Sequence, residues 1–235
     1  MKLILIRHGD PNYKDNCLTP LGHAQAEALA KRIERKGTEV TAICASDYGR
    51  AIETAEHTAI RLGKDITRLE FMHEISYGLH GASKEEKLRY SPWKAPAELV
   101  RNGVQIHSYD PDNFWGYKGT KLEEAVERVC GGFDVWIEQF GLHREGYCYR
   151  CDRENSDNIL VFAHGGTISV LFGYLTSSNV LAACTYLRLH CTGVTEYEFR
   201  CEPGALLIPL VRRFNDHAHL EGLTCPDPEE GSFED

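Results

Sequence analysis

Four apolar residues without alternation, Leu3 to Ile6, run straight into Arg7, His8 and Gly9. A strand that shows no polar and apolar alternation is covered on both faces, as happens in parallel sheets flanked by helices. The pattern predicts an α/β chain whose first strand is central and whose polar residues emerge at its carboxyl end. Thr19 and Pro20 then supply an N-cap and a first-turn proline for a helix carrying Leu21, Ala24, Ala28, Leu29 and Ile33, with Gly37 as its stop. Val40 to Ala45 reads as a second buried strand, and Ser46 and Asp47 open a second helix that ends at Leu62 before Gly63. Ile66 to Leu69 reads as a short third strand. Thr120 with Glu123 forms a capping box ahead of an apolar stripe, Leu122, Val126, Val129, Phe133, Ile137 and Phe140, which Gly141 closes. Ile159 to Phe162 is another buried run; it delivers His164, Gly165 and Gly166 to the start of a helix that continues to Leu175. Val194 to Phe199 and Leu206 to Val211 read as closing strands. Strands alternating with helices predict a three-layer α/β/α sandwich around a mostly parallel sheet.

Length and composition set the outer limits. A chain of 235 residues with 42% hydrophobic and 26% charged residues fits one domain, expected over residues 1–220. Residues 75–119 lose periodicity among Gly, Pro, Trp, Tyr and charged residues, which predicts an irregular insertion capping the active site. Residues 221–235 are acidic and contain proline, and are expected to form an unordered tail. A net charge of −9 argues against a nucleic-acid partner, and no apolar run is long enough for a membrane span. The N-terminal apolar run is too short for a secretory signal. Nine cysteines, an odd number spread through periodic segments, read as reduced thiols, so the expected location is the cytoplasm.

Ligands of parallel α/β sheets sit beyond the carboxyl ends of the strands. His8, Arg50 and His164 all fall just after expected strands, so residues remote in sequence should converge on one rim. Arg7, His8, Arg50 and His164 together would offer two fixed positive charges and two imidazoles. That set suits a dianion held by forked guanidinium donors while a ring nitrogen attacks it, and requires no bound metal. Two guanidinium groups also disfavour the imidazolium form, which keeps His8 nucleophilic. His164 is expected to donate a hydrogen bond to the transferring group, and Gly165 lies beside it. A leaving alkoxide needs a proton; Glu74, at the edge of the insertion, is the first candidate for that acid and Asp10 the alternative.

Arg7-His8-Gly9, Ser46-Asp47-Tyr48-Gly49-Arg50-Ala51 with Thr54-Ala55, Glu74 with Gly78, and His164-Gly165-Gly166 occur here in one order across most of residues 1–175. This set resembles the histidine phosphatase superfamily, which includes the phosphoglycerate mutases. The resemblance implies an α/β/α sandwich, no metal or other cofactor, phosphorylation of His8, phosphate binding by Arg7, Arg50 and His164, and proton donation by Glu74. In the mutases a Ser or Thr and then an Asn follow the first motif, where Pro11 and Lys14 stand here, and an Asn follows the second His-Gly, where Gly166 stands. The His-Gly-Gly form resembles the phosphatase branch.

The expected activity is therefore that of a histidine acid phosphatase-type phosphoric monoester hydrolase acting on a small phosphorylated metabolite through a phosphohistidine. The alternatives are a mutase-type isomerase and a phospholigand-binding module without turnover. Cys148 and Cys151 have metal-like spacing, with His143 and Cys130 as further conceivable ligands, but one such pair without a second is weak evidence, and no metal site is expected. Trp93, Trp115, Tyr109, Phe114 and Tyr117 in the insertion could line a substrate pocket or simply pack.

Overall fold

The computed structural model describes residues 1–223. The first strand, β1 (Lys2–Arg7), leaves the sheet at the catalytic motif candidate, and a small antiparallel ribbon, β2 (Pro11–Asn12) and β3 (Cys17–Leu18), follows. Helix α1 (Pro20–Lys36) starts as its sequence predicts: the Thr19 hydroxyl accepts from Gly22 N, and Gly37 takes the left-handed conformation at its end. Then come β4 (Ala42–Ala45), α2 (Gly49–Leu62) and β5 (Ile66–Arg68). The opening of α2 differs from expectation. Its N-cap is Tyr48, with no side-chain cap; the Ser46 hydroxyl accepts from Tyr48 N at 3.4 Å and lies 2.9 Å from His164 Nε2.

The insertion at residues 75–119 is less irregular than its sequence suggests, since it holds two short helices, α3 (Lys84–Leu88) and α4 (Ala95–Arg101), joined by turns. Helix α5 (Lys121–Ile137) follows. The capping box forms incompletely: Thr120 accepts from Leu122 N, but Glu123 bonds Gly119 N rather than the cap residue's own N–H. The polar stretch after Gly141 contains an unforeseen hairpin, β6 (Leu142–Glu145) and β7 (Cys148–Cys151). Strand β8 (Asn158–Ala163), helix α6 (Gly165–Leu175), a further helix α7 (Val180–Tyr186) and β9 (Val194–Glu198) come next. The expected strand at Leu206 to Val211 divides in two. Strand β10 (Leu206–Leu207) joins the hairpin and β11 (Leu210–Asp216) edges the main sheet.

The main sheet has the order β11-β9-β1-β8-β4-β5. Strands β1, β8, β4 and β5 are parallel and β9 is reversed. Successive residues of β1 face opposite layers, which explains its unbroken apolar run. Leu3 and Leu5 pack with Val129, Phe133, Ile168 and Leu171 from α5 and α6, whereas Ile6 packs with Leu29 and Ala55 from α1 and α2. Two helical layers thus sandwich the sheet. The insertion contributes Trp93, Ile106 and Phe114 to the first of these cores.

Candidate active site

Parallel pairing brings the motifs together. β1 and β8 run in register with Arg7 beside Ala163, so His8 and His164 leave the sheet as neighbours; His8 N donates to the Ala163 carbonyl at 2.9 Å. Their rings meet edge to face with centroids 5.2 Å apart, and both are almost fully buried. On the other side of β8, β4 ends at Ala45 opposite Phe162, and Ser46 N donates to the Phe162 carbonyl at 2.8 Å. The chain then turns into α2 and places Arg50 over the same rim, its guanidinium against the faces of Tyr13 and Tyr48.

The protonation states follow from the partners. His8 Nδ1 lies 2.6 Å from the Gly9 carbonyl oxygen, which can only accept, so Nδ1 carries the proton and Nε2 keeps its lone pair. Burial, then Arg7, then Arg50 hold His8 well below the usual histidine range. His164 is depressed in the same way, by burial first and then by His8 and Arg50. Its Nε2 is 2.9 Å from the Ser46 hydroxyl, while Nδ1 is buried with no hydrogen-bond partner among the described residues. If Ser46 donates, that Nδ1–H is available to an anion. The Arg7 guanidinium donates to the Leu189 carbonyl, and Arg50 donates to Asn16 Oδ1 at 2.8 Å.

Glu74 enters from the segment after β5. Its Oε1 accepts from Ile75 N at 2.9 Å and Thr167 N at 3.0 Å, and its Oε2 from Gly166 N at 3.4 Å. These amides and Arg50 favour the carboxylate, yet burial outweighs them and raises the Glu74 pKa above its ordinary value. Asp10 is placed differently. Its Oδ2 accepts from the Thr19 hydroxyl at 2.6 Å, and it is not among the residues that line the cavity described next.

A cavity of about 460 Å³ is lined by Arg7, Arg50, Glu74 and Gly165, while the buried His8 and His164, like Asp10, are not among its lining residues. Sequence reasoning did not anticipate other parts of its wall: Tyr13, Asn16, Tyr48, Lys87, Lys121 and Arg188. Asn16 stands two residues beyond Lys14, so a carboxamide does reach the site, carried by a residue with positive φ that no motif spacing marks. Of the insertion's singled-out aromatics, Trp93 lines the cavity, Phe114 is buried in the core, and Trp115 is half exposed with its ring N–H on the Arg89 carbonyl. His143 pairs with Asp152, and the Cys151 thiol donates to the Arg153 carbonyl. The described cysteines are free thiols. Among the described residues no helix is long and apolar enough to cross a membrane.

Comparison with known proteins agrees with this fold. A Hydrogenobacter thermophilus protein with a phosphoserine phosphatase name is 25% identical over 232 residues, covering 95% of this chain and 99% of its own. The 2,3-bisphosphoglycerate-dependent phosphoglycerate mutase of Bartonella tribocorum is 26% identical over 239 residues, covering 96% and 98%. Among solved structures, the phosphoserine phosphatase of Entamoeba histolytica, in complex with 3-phosphoglyceric acid, superposes with a TM-score of 0.61 at 23% identity over 93% of this chain and 98% of that one. The family model for the histidine phosphatase superfamily, branch 1, matches residues 3–207, and the chain belongs to that family.

Proposed function

We propose that the protein is a metal-independent phosphomonoesterase that transfers the phosphoryl group of a small metabolite to His8 and then to water. One observation carries this reading: the His8 and His164 rings sit 5.2 Å apart within the field of Arg7 and Arg50, and both arginines line a cavity together with Glu74. His8 Nε2 attacks phosphorus as the ester P–O bond breaks, and the leaving oxygen takes the proton of Glu74. That proton belongs on Oε2, because Oε1 is the better-occupied acceptor. Arg7, Arg50 and His164 Nδ1–H neutralise the equatorial oxygens, a role that preorganised donors perform in a site sheltered from water. The Glu74 carboxylate then takes a proton from water as that water attacks phosphorus, the P–N bond breaks, and neutral His8 is restored.

Relatives bear both phosphatase and mutase names, and the position after Gly165 favours hydrolysis. A Cβ on Gly166 would stand 2.5 Å from Ile75 Cγ1 and 2.7 Å from Glu74 Oε1, so the mutases' asparagine does not fit without displacing the acid. The cavity's cations suit a second anionic group on the substrate, and phosphorylated carboxylic acids are where a substrate screen should begin. Release of inorganic phosphate from p-nitrophenyl phosphate in the presence of EDTA tests the reading, together with recovery of an alkali-stable, acid-labile phosphoadduct from the wild type and its absence from His8→Ala. Wild-type turnover by that variant would overturn the nucleophile assignment. Phosphate that reappears only on the same substrate molecule would mark a mutase, and binding without turnover across a broad panel a silent module.

A further inference from the structure

Thr192 holds a backbone conformation that its own side chain resists. It is fully buried, β-branched and at φ +55°, and such residues persist only where the surroundings over-determine them. Its N–H donates to the carbonyls of Arg7 at 3.0 Å and His8 at 3.2 Å. Its hydroxyl lies 2.7 Å from the Cys191 carbonyl and 2.8 Å from His219 Nε2. The donors can be assigned from the far end. Arg32 faces His219 Nδ1 at 3.3 Å, and a guanidinium only donates, so Nδ1 accepts and Nε2–H donates to Thr192 Oγ. The Thr192 hydroxyl proton then goes to Cys191 O. Asp216 holds Arg32 in place through two contacts of 2.9 and 2.5 Å.

The same segment is gripped a second time. Asn215 Oδ1 accepts from His190 N at 2.8 Å, and its Nδ2 donates to the Arg188 carbonyl at 2.9 Å. Gly193 is required there, since a Cβ would fall 2.4 Å from Asn215 Oδ1. In turn the segment grips the site: Leu189 O receives the Arg7 guanidinium, and Gly193 O receives Arg7 N at 3.2 Å. Burial, with Arg32 and more weakly His217 and Lys36 against Asp216, lowers His219 to about 4, so its acceptor nitrogen is unprotonated through the neutral range.

We propose that Thr192 and His219 are positioning residues: acting as one link, they fix the backbone of Arg7 and His8 and thereby the line along which the His8 ring meets phosphorus. This rests on the phosphatase reading for its chemical consequence. Displacements near 1 Å can cost about a hundredfold in rate. Thr192→Ser and His219→Gln, which keep the hydroxyl and the donor–acceptor pair, are expected within about twofold of wild-type kcat. Thr192→Val and His219→Leu should each lower kcat about ten- to a hundredfold with KM for p-nitrophenyl phosphate nearly unchanged. The Val/Leu double variant should be no slower than the slower single one, because both cut the same link. Hydrogen exchange at the Thr192 and His8 amides should quicken in both single variants.

Unchanged kcat in folded Val and Leu variants, losses that multiply in the double, or a Gln variant as slow as Leu would each overturn the proposal. Should His219→Leu fail to fold, the Ser and Val variants at Thr192 decide it. His8→Ala is the control for the underlying reading: full activity there sinks the phosphatase assignment alone. If the wild type itself hydrolyses nothing, the amide exchange rates still decide whether the link holds this backbone.

Discussion

Glu74 must be a protonated acid in one half of the proposed cycle and a base in the other, and its surroundings pull both ways. Burial raises its pKa while the amides of Ile75, Thr167 and Gly166 restrain the rise. His8 has the opposite displacement and stays neutral well below pH 6.5. For an alkyl phosphate, kcat/KM should therefore fall as pH rises through the raised Glu74 pKa, with no loss from His8 protonation until well below pH 6.5. A pH–rate profile checks this, and Glu74→Gln should lose the basic limb along with about 10²–10⁴-fold of the rate. Because p-nitrophenolate leaves without a proton, the same variant should be much less impaired in kcat/KM on p-nitrophenyl phosphate, while its kcat still falls because hydrolysis of the phosphohistidine has lost its base. Gly166→Asn is expected to resemble Glu74→Gln, since its Cβ would intrude on the carboxylate.

The start of α1 is built against the loop that follows His8. A Cβ on Gly22 would lie 2.2 Å from the Asp10 carbonyl oxygen, and one on Gly9 would lie 2.7 Å from the Gly22 carbonyl oxygen, a backbone-to-backbone approach on both sides. Gly22→Ala should destabilise the fold by about 2 kcal/mol or more, read by urea denaturation. Thr19→Ala removes both the cap and the Asp10 contact and should cost about 1 kcal/mol. The long helices were legible because apolar spacing agrees with a side-chain cap in α1 and α5 and with a glycine stop in α1 and α2. The hairpin of β6 and β7 was hidden because its strands are short, polar and half exposed. Ser46 misled as a helix opener because it stands two residues ahead of the N-cap, where its hydroxyl accepts from Tyr48 N and also meets His164. The placement of Arg7, His8, Arg50 and His164 could be read from strand ends, whereas Lys121, Arg188 and the grip of residues 188–193 could not, since no local spacing encodes a bond to a distant carbonyl.

Across the whole molecule charge is unevenly used. The chain carries a formal charge of −9, yet Arg7, Arg50, Lys87, Lys121 and Arg188 line one cavity that also holds Glu74. A positive cleft in a negative body concentrates field lines, draws small anions in and leaves long polyanions facing a repulsive surface. Raising ionic strength from about 0.01 to 0.15 M shortens the screening length from about 30 to 8 Å, so KM for an anionic ester should rise several-fold while kcat changes little. Steady-state kinetics over a salt series would show it, and a salt-independent KM would contradict the steering role of these cations.

One helix end governs both sides of the reaction. His164 is the N-cap of α6, and the first amides of α6 hold the Glu74 carboxylate. Any drift of that helix carries the proposed imidazole clamp and the proposed proton source together, so the span between His164 and the Glu74 carboxyl is less sensitive to the motion than it would be with separate anchors.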